Sequence, residues 1–183
     1  MAGGNDYRDM AAGVDITNQG TITLATTQKA LWLPARTLVL ARDFKVGKTW
    51  KLTAGIILVT DGTAGNYIFG VGFGTGDAPA VIVIGASVAG TTVQTQLVIM
   101  EAWITVRSIG AAGTVSMYGR IQANVAVLAS TLQPYNFPTA GVTVVSTLDM
   151  SLNTGAITFQ AQRSGVGVWT AACAGVPLLE ALN

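Results

Sequence analysis

An all-β fold, an antiparallel β-sandwich with an extended N-terminal arm, is what this sequence predicts, and three observations predict it. No long stretch places apolar residues at i, i+3, i+4 and i+7 between capping residues, so an amphipathic helix has nowhere to start. Val, Ile, Thr and Leu recur instead in short runs closed by glycine-containing turns, as strands on a pleated, half-buried surface require. One such run, residues 96–108, is followed by Ile-Gly-Ala-Ala-Gly and a second run over 114–127, which makes a long antiparallel hairpin. About ten strands on short turns describe a sandwich, and the long central hairpin selects a jelly roll.

Taken in order, residues 1–20 are polar and Gly/Ala-rich and read as an arm that becomes ordered by what it binds. A single domain is expected over 21–183. Strand-like runs follow at 21–25, 30–33 and 37–41, and a longer one at 50–60 ends on the turn Asp61-Gly62. Residues 67–73 alternate large side chains with Gly70 and Gly72, which suits a strand over which another backbone passes closely. Residues 81–84 form a compact apolar run. The run at 96–108 is the strongest; if it is a central strand, Trp103→Ala costs ~3–5 kcal/mol, and a loss under about 1 kcal/mol places it at an edge. Residues 132–139 (Leu-Gln-Pro-Tyr-Asn-Phe-Pro-Thr) read as a proline-bounded loop. Its aromatics, Tyr135 and Phe137, either anchor the loop or stack on a sugar. Runs at 142–149, 156–162 and 166–170 complete the set. No internal repeat is visible, which argues against a propeller or a β-helix.

Composition narrows the function classes. Half of the residues are hydrophobic and only 10% are charged, where roughly a quarter charged is usual; the mean hydropathy is +0.51. A charge-poor surface needs a partner to cover it, so an obligate oligomer is expected. The net charge of +1 gives no bulk attraction to nucleic acid or anionic lipid. Six of the ten basic residues, Lys29, Arg36, Arg42, Lys45, Lys48 and Lys51, fall in one stretch opposed only by Asp43. This is either a basic edge that meets an acidic neighbour or a set of solvating charges guarding an edge strand. Residues 1–15 hold Asp6, Arg8, Asp9 and Asp15 and have no apolar core of a signal peptide, so synthesis and assembly inside a cell are expected. The uncharged stretches 78–100 and 121–148 are long enough to span a bilayer, but prolines and glycines interrupt both. Neither reads as a transmembrane helix.

Catalytic chemistry finds little to work with. The chain has no histidine and a single cysteine, Cys173, which removes the commonest general base, the commonest transition-metal ligand and any thiolate cluster. Cys173 sits among small residues and reads as a buried, inert thiol. Nine carboxylates exist, three of them (Asp6, Asp9, Asp15) in the first fifteen residues. Glu101 stands midway along the apolar run before Trp103; it is a buried acid, a partner of Arg107 or Arg120, or a residue facing a subunit interface. The sequence Gly-Val-Gly-Phe-Gly-Thr-Gly at 70–76 lacks a following helix and a Gly-Lys-Ser/Thr ending, so it reads as a turn and not as a phosphate loop. No enzyme activity, cofactor or metal is expected.

From about residue 45 onward the chain resembles the small jelly-roll virion proteins of tailed bacteriophages, found as head-decoration, head-fibre or tail-associated subunits. The resemblance rests on Trp-Lys-Leu-Thr-Ala-Gly at 50–55 and Trp-Ile-Thr-Val-Arg-Ser-Ile-Gly at 103–110. It continues with a Gly-Thr-Val strand carrying Gly119 and Arg120, Leu148-Asp149, Ala-Ile-Thr-Phe-Gln at 156–160 and Leu-Leu-Glu-Ala-Leu-Asn at 178–183. It implies a capsid decoration subunit that assembles as a homotrimer on the head, contacts major capsid or tail proteins and resides in the virion after synthesis in the host cytoplasm. A tail-tip or fibre module that binds host-surface glycan is the alternative it implies. Assembly would run through Lys29, Arg36, Arg42, Lys45, Lys48, Lys51 and Glu101, and residues 1–44, which match nothing, would anchor the subunit.

Overall fold

The computed structural model describes residues 22–24, 26–27, 29–31, 38–39, 43–63, 65–74, 81–90, 93–110, 113–124, 132–137, 143–145, 155–175 and 177–183. The predicted arm and Arg36 and Arg42 lie outside these residues. The described chain is an all-β sandwich of antiparallel sheets packed on one another. Three short strands come first, β1 (Ile22–Thr23), β2 (Lys29–Ala30) and β3 (Leu38–Val39). The long elements are β4 (Thr49–Asp61), β5 (Gly65–Gly74), β6 (Val81–Gly90), β7 (Val93–Ser108) and β8 (Thr114–Asn124). The chain continues with β9 (Leu132–Phe137), β10 (Thr143–Val145), β11 (Gly155–Ser164), β12 (Thr170–Cys173) and β13 (Leu178–Ala181).

The larger sheet runs β1-β12-β4-β7-β8-β10, with β13 also on β4 and β9 also on β8; the smaller runs β2-β11-β5-β6, with β3 also on β11. Two positions depart from the sequence reading. Residues 132–137 are a strand paired with β8, Tyr135 opposite Ile121 and Phe137 opposite Gly119, and so do not form a loop. Pro134 is tolerated because, among the described residues, β9 pairs on β8 alone, and a strand edge needs no donor there. The run read at 166–170 begins its strand only at Thr170, because 165–167 bend through Gly165 at φ 106°.

Strand alternation builds the core. Trp50, Leu52, Ala54, Ile56 and Leu58 of β4 and Val98, Met100, Ala102, Ile104 and Val106 of β7 point inward. They meet Tyr67, Phe69, Val71 and Phe73 of β5 and Phe159 of β11 in one cluster. Trp169, just before β12, closes one end against Tyr67, ring centroids 4.6 Å apart. The two sheets differ on their outer sides. In the smaller one Gly70 and Gly72 and the residues opposite them, Gln160 and Thr158, are buried, so β5 and β11 are closed to solvent on both faces. The larger sheet is open on one.

Candidate assembly face

The open face is the outer side of β4, β7 and β8, and its residue types change along the strands. β4 and β7 pair over thirteen consecutive positions, from Thr49↔Thr105 to Asp61↔Val93, so the two columns are held in fixed register. At the Thr49 end the face is polar and aromatic. Lys51 Nζ lies 3.2 Å from Glu101 Oε1 and Arg120 Nε 2.5 Å from Glu101 Oε2. Trp103 and Tyr118, opposite each other on β7 and β8, stack nearly parallel with centroids 5.0 Å apart. Lys51 Nζ sits 5.4 Å from the Trp103 ring centroid, within cation–π range. Partial burial pushes the Glu101 carboxyl up, but the hydrogen bonds and charges of Arg120 and Lys51 outweigh it and hold the group below its ordinary value.

Beyond Glu101 the face turns aliphatic. Ile57 stands opposite Leu97, Ile99 opposite Gly55 and Val59 opposite Thr95, and Ala172 of β12 flanks Ile57 on the other side. Leu97 is 48% exposed and Val93, at the strand end, 74%, whereas their inward neighbours Val98 and Ile56 are fully covered. The aliphatic end is bounded by Asp61. Its Oδ2 accepts from the Val168 backbone N–H at 2.5 Å, and its Oδ1 accepts from Thr63 N–H at 3.0 Å and Trp169 Nε1–H at 3.2 Å. These donors, Val168 first, hold the carboxyl at about 2 and fix Val168 with its side chain 65% exposed.

Of the sequence-predicted assembly residues, Lys51 and Glu101 meet on the open face. Of the basic stretch, Lys29 belongs to β2 in the smaller sheet, while Lys51 points out of the larger one. Lys45 is exposed in the turn before β4. Lys48 Nζ donates to the main-chain oxygen of Asn183, whose side chain also spans Thr49 N–H at 2.7 Å and Gly47 O at 2.8 Å. Lys45 and Lys48 thus share the turn that leads into the strand of Lys51, while Lys29 belongs to the other sheet. Glu101 pairs with Arg120, one of its two expected partners, and also with Lys51; Arg107 instead donates to Ser116 Oγ at 2.9 Å. The Cys173 thiol is half-buried and donates to the Leu31 carbonyl at 3.5 Å.

Trp103 does not anchor the core. Its strand is central, but alternation puts Ala102 and Ile104 inside and Trp103 on the outer face. The aliphatic rows were missed although a signal for them existed. Ile56-Ile57-Leu58-Val59 and Leu97-Val98-Ile99-Met100 are unbroken apolar runs, and a strand with one wet face alternates. A continuous run means that both faces are apolar. Among the described residues no three His, Cys, Asp or Glu side chains are grouped as a metal site. No protein-family model, curated protein or solved structure matches the chain.

Proposed function

We propose that this chain is a structural subunit of a tailed-phage virion, a jelly-roll protein that associates with copies of itself and decorates the head. The observation that carries the proposal is the aliphatic half of the open sheet face, whose outward Ile57, Val59, Leu97 and Ile99 stand in register on two central strands. A sheet face of this kind, left in water, is an interaction surface. The strand order supports a jelly roll. With β8–β10 set aside as an insertion, β2 and β3 taken as one broken strand and β13 as a continuation of β12, eight strands remain. They run 1-8-3-6 in the larger sheet and 2-7-4-5 in the smaller, as paired Greek keys do. In this reading the partners are copies of the chain, as a homotrimer, and a major capsid or tail protein. The protein is made in the host cytoplasm and resides in the virion.

Light scattering on the purified chain tests the self-association, and co-sedimentation with undecorated phage heads tests the docking. A mass near three times 18.8 kDa with saturable binding to heads is the expected result. A stable monomer that leaves the heads bare would overturn the proposal. That outcome would favour the second reading, glycan recognition, for which the exposed Tyr118 ring on its Trp103 stack is the supporting observation, since sugars pack on such rings.

A further inference from the structure

The aliphatic half of the open face ends the chain's own packing without ending its apolar surface, and we infer that the same half of a second copy of this chain covers it. The inference rests on the self-association proposed above and adds that this half of the face meets its own counterpart and not a foreign surface. Three features of the face select a copy over a foreign partner.

The first is charge. Both carboxylates that β4 and β7 present here are committed, Asp61 to the three donors from Thr63, Val168 and Trp169 and Glu101 to Lys51 and Arg120. A basic partner would find no uncommitted carboxylate on these two strands, and an acidic one would find Arg107, hydrogen-bonded to Ser116 Oγ, at the far end of β7 from the aliphatic half. Ile57, Val59, Leu97 and Ile99 offer only apolar contact, and the surface known to match them in chemistry and length is the same rows on another molecule. The second is area. At 3.4 Å per residue and 4.8 Å per strand, the face spanned by thirteen positions of β4 and four strand columns measures roughly 800 Å². That is about what each partner contributes to a stable interface. The aliphatic half alone supplies about half of it, so the contact runs on into the Trp103–Tyr118 end. The third is layout. An apolar patch bordered by a self-neutralised ionic row matches the anatomy of homomeric interfaces, an apolar core within a polar rim. Meeting its own kind around the shared axis of the trimer proposed above also closes the patch instead of propagating it.

A cysteine scan tests the inference. In a Cys173→Ser background, Leu97→Cys and Ile57→Cys are introduced separately, and each protein is oxidised alone and in a mixture of the two. Val46→Cys, on an exposed turn away from the face, serves as the control. Disulfide-linked dimers in most chains carrying Leu97→Cys or Ile57→Cys, with none from the control, are expected. Leu97→Lys should weaken association at least tenfold with an unchanged circular dichroism spectrum and melting temperature; Leu97→Thr, which β-strands accept readily, should do so in part. If the chain associates in solution but neither face cysteine cross-links and Leu97→Lys leaves the mass unaltered, the inference is overturned while self-association stands. If the unmodified chain is a monomer at every concentration, both fall together.

Discussion

Asp61 shows how one side chain can set a loop. It ends β4 and precedes Gly62 at φ 89°, and its carboxylate collects Thr63, Val168 and Trp169 donors from two segments more than a hundred residues apart in sequence. The sequence marked it as a turn residue and nothing more, since the loop at 165–169 reaches it only through the fold. Charge-assisted hydrogen bonds of this kind hold the folded carboxyl at about 2, below its ordinary value of 3.8. The native state therefore binds fewer protons than the unfolded chain between those values, so stability rises with pH across that window. Asp61→Asn should lower stability above pH 4, and the difference from the unmodified protein should shrink as the pH falls through about 2. Urea unfolding at pH 6, 4 and 2 measures it. A difference that stays constant over that range would mean that the charge of Asp61 contributes nothing beyond the shape of its side chain.

At the scale of elements, what the sequence disclosed and what it hid divide along local and non-local contacts. The β7–β8 hairpin was legible because its turn and both of its strands are contiguous, and with it the Glu101–Arg120 pair, which faces across that hairpin. Lys51 joins them through the β4–β7 pairing, which joins segments about fifty residues apart and leaves no mark on either. β9 was hidden by its proline, and β13 by its two leucines and a glutamate, which carry no clear period of two. The tryptophans make the same point energetically. Trp103 and Trp169 are equally conspicuous in the sequence, but Trp103 packs on Tyr118 at the surface while Trp169 is buried against Tyr67. Trp169→Ala should cost ~3–5 kcal/mol as a core truncation. Trp103→Ala should cost about 1 kcal/mol, the worth of a cross-strand aromatic pair. Denaturant midpoints at constant slope give both numbers, and equal losses would mean that the alternation along β7 is misplaced by one residue.

For the whole molecule, the distribution of charge decides how assembly should respond to salt. A basic stretch meeting an acidic neighbour would weaken steeply as ions screen it, because exposed charges lose most of their attraction beyond ~10 Å at 0.1 M salt. Three of the four described lysines of that stretch are already engaged or lie in the other sheet. Lys51 is bound to Glu101, Lys48 is turned onto Asn183, and Lys29 belongs to the other sheet. What the described residues gather instead is apolar, on the open face of the larger sheet, and apolar burial is left intact or strengthened by salting-out ions. The dissociation constant of the oligomer should therefore change by less than about threefold between 50 mM and 1 M sodium chloride, and Lys45→Glu should leave it unaltered. Sedimentation velocity across that range separates the two mechanisms. A tenfold or larger weakening at high salt, removed by Lys45→Glu, would place the interface at the turn before β4 instead of on the sheet. Flat salt dependence would leave hydrophobic burial as the source of affinity.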